Sequence, residues 1–146
     1  MSYLLNSTWI FSTTGINLSY REGQVFVKCL SETPIFVQSR NAGYFWGNDP
    51  TTVYKLLHEQ EMKIFDGIKF SEQLAECAQH GYKAVFDMEK TCKIKISFVK
   101  GWGQAYHRKD VHSTPCSIEI MLNYPLIWVD RILKEMHNPD KISSVT

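Results

Sequence analysis

A chain of 146 residues with 44% hydrophobic and 21% charged residues is most simply one globular domain with a sizeable core, which excludes a disordered or fibrous protein. Sixteen basic against fifteen acidic residues leave a formal charge of +1, an argument against broad electrostatic binding to nucleic acid or membrane that leaves room for a local patch. No apolar stretch approaches the roughly 20 residues of a spanning helix.

The start, MSYLLNSTWIFSTTGI, lacks a basic n-region, and Asn6, Ser7 and Thr8 interrupt its apolar residues, so no secretory signal is expected. GINLSYREGQVFVKCL then reads as two strands around a tight turn at Glu22-Gly23, with Gly supplying a positive φ. IFVQS (35–39) and TTVYKL (51–56) read as short strands around a Gly-, Asn- and Pro-containing loop, and EMKIF (61–65) as another strand, closed by Asp66-Gly67.

The period changes at FSEQLAECAQHG, which places Phe70, Leu74, Cys77 and Ala78 on one helical face with Gly81 as the expected C-terminal cap. A shorter helical piece is expected over 84–91. KIKISFV alternates, with Ile94, Ile96 and Phe98 facing one way and Lys93, Lys95 and Ser97 the other. CSIEIML (116–122) repeats the alternation through Ile118, Ile120 and Leu122. Pro125 opens a last helix with an apolar stripe of Leu126, Val129, Leu133 and Met136. The sum is antiparallel β with a small group of helices. Cys29, Cys77, Cys92 and Cys116 are widely spaced and lie in apolar or alternating stretches, as buried free thiols of a reducing compartment do.

Motifs for catalysis are weak. KGWGQAY (100–106) follows a strand, but a dinucleotide fingerprint needs a third Gly and then a helix; Tyr106 stands there, before another strand. The histidines give no metal-ligand spacing, and Ser113 and Thr114 lack a nucleophile-elbow setting. No metal or cofactor is expected. Two features are more telling. The seventeen residues VKGWGQAYHRKDVHSTP (99–115) form a long loop rich in the residues of binding surfaces. The chain also ends on KISSVT, a polar tail that by position alone reads as a frayed terminus.

In order and almost without gaps, IFVQSRN, DPTTV, KIF, SFVKGWG, AYHRKDV, STPC and the final SSVT resemble the Mad-homology 2 domain of Smad proteins, over roughly residues 15–146. The subgroup it looks most like is the receptor-regulated Smads of the bone morphogenetic protein branch. The resemblance implies a mainly β fold: an antiparallel β-sandwich of the Smad/FHA type, with a three-helix bundle at one end and a long-loop region at the other. It implies a signal transducer of the cytoplasm and nucleus, not an enzyme.

Carried over residue by residue, a type I receptor serine/threonine kinase phosphorylates Ser144 and Thr146, with Ser143 a further candidate. The phosphorylated tail docks in a basic pocket of a neighbouring subunit, here Lys63, Lys100, Tyr106 and Arg108. Homo- or heterotrimers so formed act with transcription cofactors, with no direct DNA binding by this chain and no membrane insertion. His107 and Asp110 fall where the loop selects its receptor branch, and Asp130 falls at the trimer interface. Tyr44, Phe45 and Trp46 fall where the family docks anchoring and receptor-associated proteins. Each phosphate adds about −1.5 to −2 charge and three strong acceptors, so a tail given such groups becomes a ligand for Arg and Lys.

The chain departs from the family in three places. MSYLLNSTWIFSTT stands where the family has further strands, a loop and a helix, so the amino-terminal strands are expected to be missing and sheet edges exposed. The family's stretch that is replaced there also holds its basic partner for Asp130, so that partner is expected to be missing, and the amino-terminal DNA-binding domain is expected to be absent too. Thr146 replaces a serine, and Asn48 and Asp49 replace an aromatic residue and a histidine. The expected division is an atypical segment (1–14), an incomplete Mad-homology 2 domain (15–138) and a phosphoacceptor tail (139–146). Two readings remain: an effector domain, or a truncated, interfering module that binds receptor or partners without forming active trimers.

Overall fold

The computed structural model describes the backbone of residues 6–11, 15–98 and 117–136, and the side chains of 15–98 and 117–136. The first sheet is built from β1 (Asn6–Phe11), β2 (Ile16–Arg21), β3 (Gln24–Cys29) and β6 (Glu61–Asp66), hydrogen-bonded in that order. The second takes β4 (Ile35–Ser39), β5 (Val53–Leu56), β7 (Lys93–Phe98) and β8 (Ser117–Met121) in the order β5-β4-β7-β8. Every pairing is antiparallel. Ile16, Leu18, Val25 and Val27 of the first sheet and Ile35, Val37, Ile94 and Ile96 of the second join one buried cluster, the packed interior of a sandwich.

The helices are α1 (Arg40–Trp46), α2 (Gly67–Ala78), α3 (Tyr82–Asp87) and α4 (Asn123–Met136), with a 3-10 turn at Met88–Cys92. α2, α3 and α4 pack on one another, the expected group of three. The fourth, α1, lies instead against β6. Among the described residues the architecture is therefore a mixed one of two antiparallel sheets and four helices, more helical than the expected mainly β fold.

Local chemistry accounts for several elements. Glu22 (φ 51°) and Gly23 (φ 82°) make the two-residue turn joining β2 to β3, where Arg21 pairs with Gln24. In β7, Ile94, Ile96 and Phe98 are buried as the alternation requires, but Ser97 is fully buried too, although its phase places it on the other face. In α4, Pro125 sits in the first turn, where its missing N–H costs no hydrogen bond, and Val129 and Leu133 are buried below it.

Four expectations are corrected. The loop expected after β4 begins as α1, because the Ser39 side chain caps its N-terminus by accepting from Ala42 N at 3.2 Å. Gly47, at φ 76°, then ends α1 in the left-handed conformation. Gly81 does not cap α2: that helix ends at Gln79 in right-handed geometry, and Gly81, at φ 106°, leads into α3. Against the expectation of sheet edges exposed by missing amino-terminal strands, β1 pairs with β2, from Asn6↔Arg21 to Phe11↔Ile16. Finally, Cys29 and Cys92 are buried free thiols but Cys77 is only half-buried; Cys116 lies outside the described residues.

Candidate functional site

Lys63 is the residue of the expected phosphate pocket whose position is described, and a break in the sheet ladder places it. β3 pairs Val25 with Phe65 and Phe26 with Lys63, so Ile64 between them has no cross-strand partner. Such a bulge re-aims the side chains beside it. Ile64, Phe65 and Asp66 are all buried in succession, which strict alternation forbids.

Three contacts fix Lys63. Its ammonium donates to Asp66 Oδ2 at 2.8 Å and lies 4.6 Å from the centre of the Phe45 ring. Its backbone carbonyl accepts from the Trp46 indole N–H at 3.2 Å. The Lys63 side chain is 23% exposed, so the charge is held at the rim of the structure rather than inside it.

Asp66 ties this corner to the helices. Oδ1 accepts from Ile68 N at 3.0 Å and from Lys69 N at 3.2 Å, capping α2. Burial opposes ionisation of this carboxyl. The hydrogen bonds from Lys63, Lys69 and Ile68 outweigh it and hold the group below the ordinary aspartate range. The Asp66 N–H donates to Asn41 Oδ1 at 2.7 Å, and Asn41 Nδ2 donates to Gln73 Oε1 at 3.0 Å. Fully buried Asn41 thus links α1, β6 and α2. Ser39 Oγ adds a second link by donating to the Ile64 carbonyl.

The structure brings together residues assigned to separate roles. Tyr44 and Trp46 are exposed on α1 and Phe45 is half-buried, so the expected docking helix abuts Lys63. Asp130 is exposed on α4. Lys100, Tyr106 and Arg108, the receptor-selecting His107 and Asp110, and the phosphoacceptors Ser143, Ser144 and Thr146 lie outside the described residues.

Asp66 and Asn41 were missed as site residues. Asp66 could have been found, since Asp before a helical period is an N-cap signal. Asn41 carries no such mark.

Among the described residues no group of His, Cys, Asp and Glu could hold a metal ion, and no helix is long and apolar enough to cross a membrane. The family model described as "MH2 domain" matches residues 13–123 of the chain. β1 precedes that span, and Lys63, Asp66 and the whole of α1 fall inside it.

Proposed function

The chain belongs to the MH2 domain family of non-catalytic interaction domains, and on that premise we propose that it transduces signals from receptors of the transforming growth factor β and bone morphogenetic protein type. A type I receptor serine/threonine kinase phosphorylates Ser144 and Thr146 in the tail (139–146). The body (15–138) receives such a tail from another subunit at Lys63, Lys100, Tyr106 and Arg108. The assembled chains modulate transcription with cofactors, moving between cytoplasm and nucleus.

The observation that carries this reading is the held ammonium of Lys63 within the matched span. Asp66 and Phe45 restrict its position, so little side-chain freedom remains to be lost when an anion arrives. Asp66 also offsets much of its charge. Lys63 therefore acts as a positioned donor, and the larger share of the attraction falls to Arg108, whose fork suits a phosphate.

A doubly phosphorylated tail peptide tests this. It binds the chain more tightly than the plain peptide, Arg108→Ala weakens it about tenfold or more, and added salt weakens it further. Equal binding of the two peptides to the folded chain refutes the pocket.

The second reading, an interfering module that engages receptor or partners without forming active trimers, draws support from β1. The strand that borders the first sheet comes from outside the matched span, so assembly contacts there do not carry over from the family. Sizing the chain before and after tail phosphorylation separates the two: a trimer supports the first reading and a phosphorylated monomer the second.

A further inference from the structure

A second basic feature lies on the other sheet. Gln38, Arg40, Lys90, Lys93, Lys95 and Glu119 line a concavity of about 390 Å³. The ladder explains the grouping. Lys95 on the central strand β7 pairs with Gln38 of β4 on one side and Glu119 of β8 on the other, and Lys93 shares its face two residues earlier. The 3-10 turn before β7 adds Lys90, and the start of α1 adds Arg40.

The charges do not cancel. Glu119 reaches Lys93 at 3.9 Å, a long contact between two half-exposed side chains. Arg40, Lys90 and Lys95 make no ion pair within 4.0 Å among the described residues. The Asp49 carboxylate accepts from the side chain and backbone N–H of Thr51, which hold it below the ordinary aspartate range more than Arg40 does. Glu89 adjoins Lys90 in sequence but does not line the concavity. Four cations and one carboxylate leave +3 in one hollow of a chain whose total formal charge is +1.

We propose that the Arg40–Lys90–Lys93–Lys95 hollow is an anion-binding site that takes a phosphorylated segment of a partner protein, distinct from the tail pocket that contains Lys63. Two phosphates at about −1.5 to −2 each match the excess charge, where carboxylates would have to arrive three at a time. Arg40 supplies a fork for two phosphate oxygens and the lysines supply point charges around it. Gln38 is fixed at the wall by donating to the Thr51 carbonyl at 2.9 Å. A nucleic acid fits less well, since tracking its backbone takes an extended basic stripe rather than one hollow. A lipid surface fits less well too, because a concave site hides its cations from a plane.

The test is an amide NMR titration of the full chain with a doubly phosphoserine-containing peptide, repeated with the unphosphorylated peptide, duplex DNA and phosphatidylserine vesicles. The expected result is salt-sensitive, phosphate-dependent shifts at Gln38, Lys93, Lys95 and Glu119 that persist in Arg108→Ala. That persistence separates this site from the tail pocket, so either assignment can fail without the other. Lys93→Ala/Lys95→Ala should lower the affinity about tenfold or more. Lys90→Ala, exposed and outside the sheet, should lower it several-fold in a chain with an unchanged unfolding midpoint. Shifts confined to other residues, affinity unaltered by Lys90→Ala, or equal response to the plain peptide, DNA or vesicles would each overturn the proposal.

Discussion

The Lys63 ammonium lies 2.8 Å from Asp66 Oδ2, so the carboxylate that caps α2 also holds the described cation of the proposed tail pocket. One buried acid thereby couples the start of a helix to the rim of a binding surface. Asp66→Ala removes the cap and leaves Lys63 without its partner, and should cost about 2 kcal/mol by urea unfolding. Asp66→Asn keeps a capping oxygen and should cost about half as much.

The same residue sets an acid limb. The Asp66 carboxyl titrates lower in the native chain than its ordinary 3.8, so the unfolded chain takes up this proton first. Its stabilising contribution is full above pH 3.8 and is lost as pH falls through the depressed native value. Unfolding free energy followed from pH 6 down to the acid transition should fall less steeply in Asp66→Asn than in the unmodified chain.

Gly43 is held for a spatial reason. A Cβ built there would lie 2.7 Å from the Asp49 carbonyl oxygen, which is backbone and cannot swing aside. Gly43→Ala should destabilise by about 1–3 kcal/mol, read as a lower urea midpoint with unchanged slope. Gly23→Ala meets no neighbouring atom but sits at φ 82°, so its cost comes from backbone strain alone and should be smaller.

Burial, aided by Glu89 and Asp130, pushes the Cys92 thiol up to about 12, while the half-buried Cys77 is raised by burial and then by Glu76 and Asp87. Cys92 should resist alkylation at pH 8 in the native chain and react once it is unfolded, as read by peptide mapping. The unfolded thiol ionises near 9, so stability should decline as pH rises from there towards 12; Cys92→Ala should flatten that decline.

On the proposed function, receptor choice follows His107 and Asp110. Exchanging them for the Arg and Thr of the other receptor branch should invert the ratio of phosphorylation rates by the two receptor classes. An unchanged ratio in a kinase assay counts against that assignment.

Features written in neighbouring residues were legible in the sequence. The Glu22-Gly23 turn needs only its two residues, and the burial of Ile94 and Ile96 follows from alternation. α1 was hidden because RNAGYFW offers no apolar period and carries a glycine in its middle. Its support comes from Ser39, Asn41 and the contact with β6, which tertiary structure alone brings together. The pairing of β1 with β2 was hidden for a similar reason, since β1 lies ahead of the matched span. At the candidate site, the motif KIF pointed to Lys63, but a bulge is silent in sequence. So was the meeting of Lys63 with Phe45 and Trp46, because α1 itself had not been foreseen.

β1 shares a ladder with β2 alone among the described strands, whereas β2 and β3 are each flanked on both sides. Its backbone amides should therefore exchange with solvent deuterium through a local opening that leaves the rest of the sandwich closed, well before those of β3 and β7. In engineering terms the border strand is a detachable part. Any extended segment able to satisfy the outer N–H and C=O groups of β2 could take its place, including one offered by a different molecule.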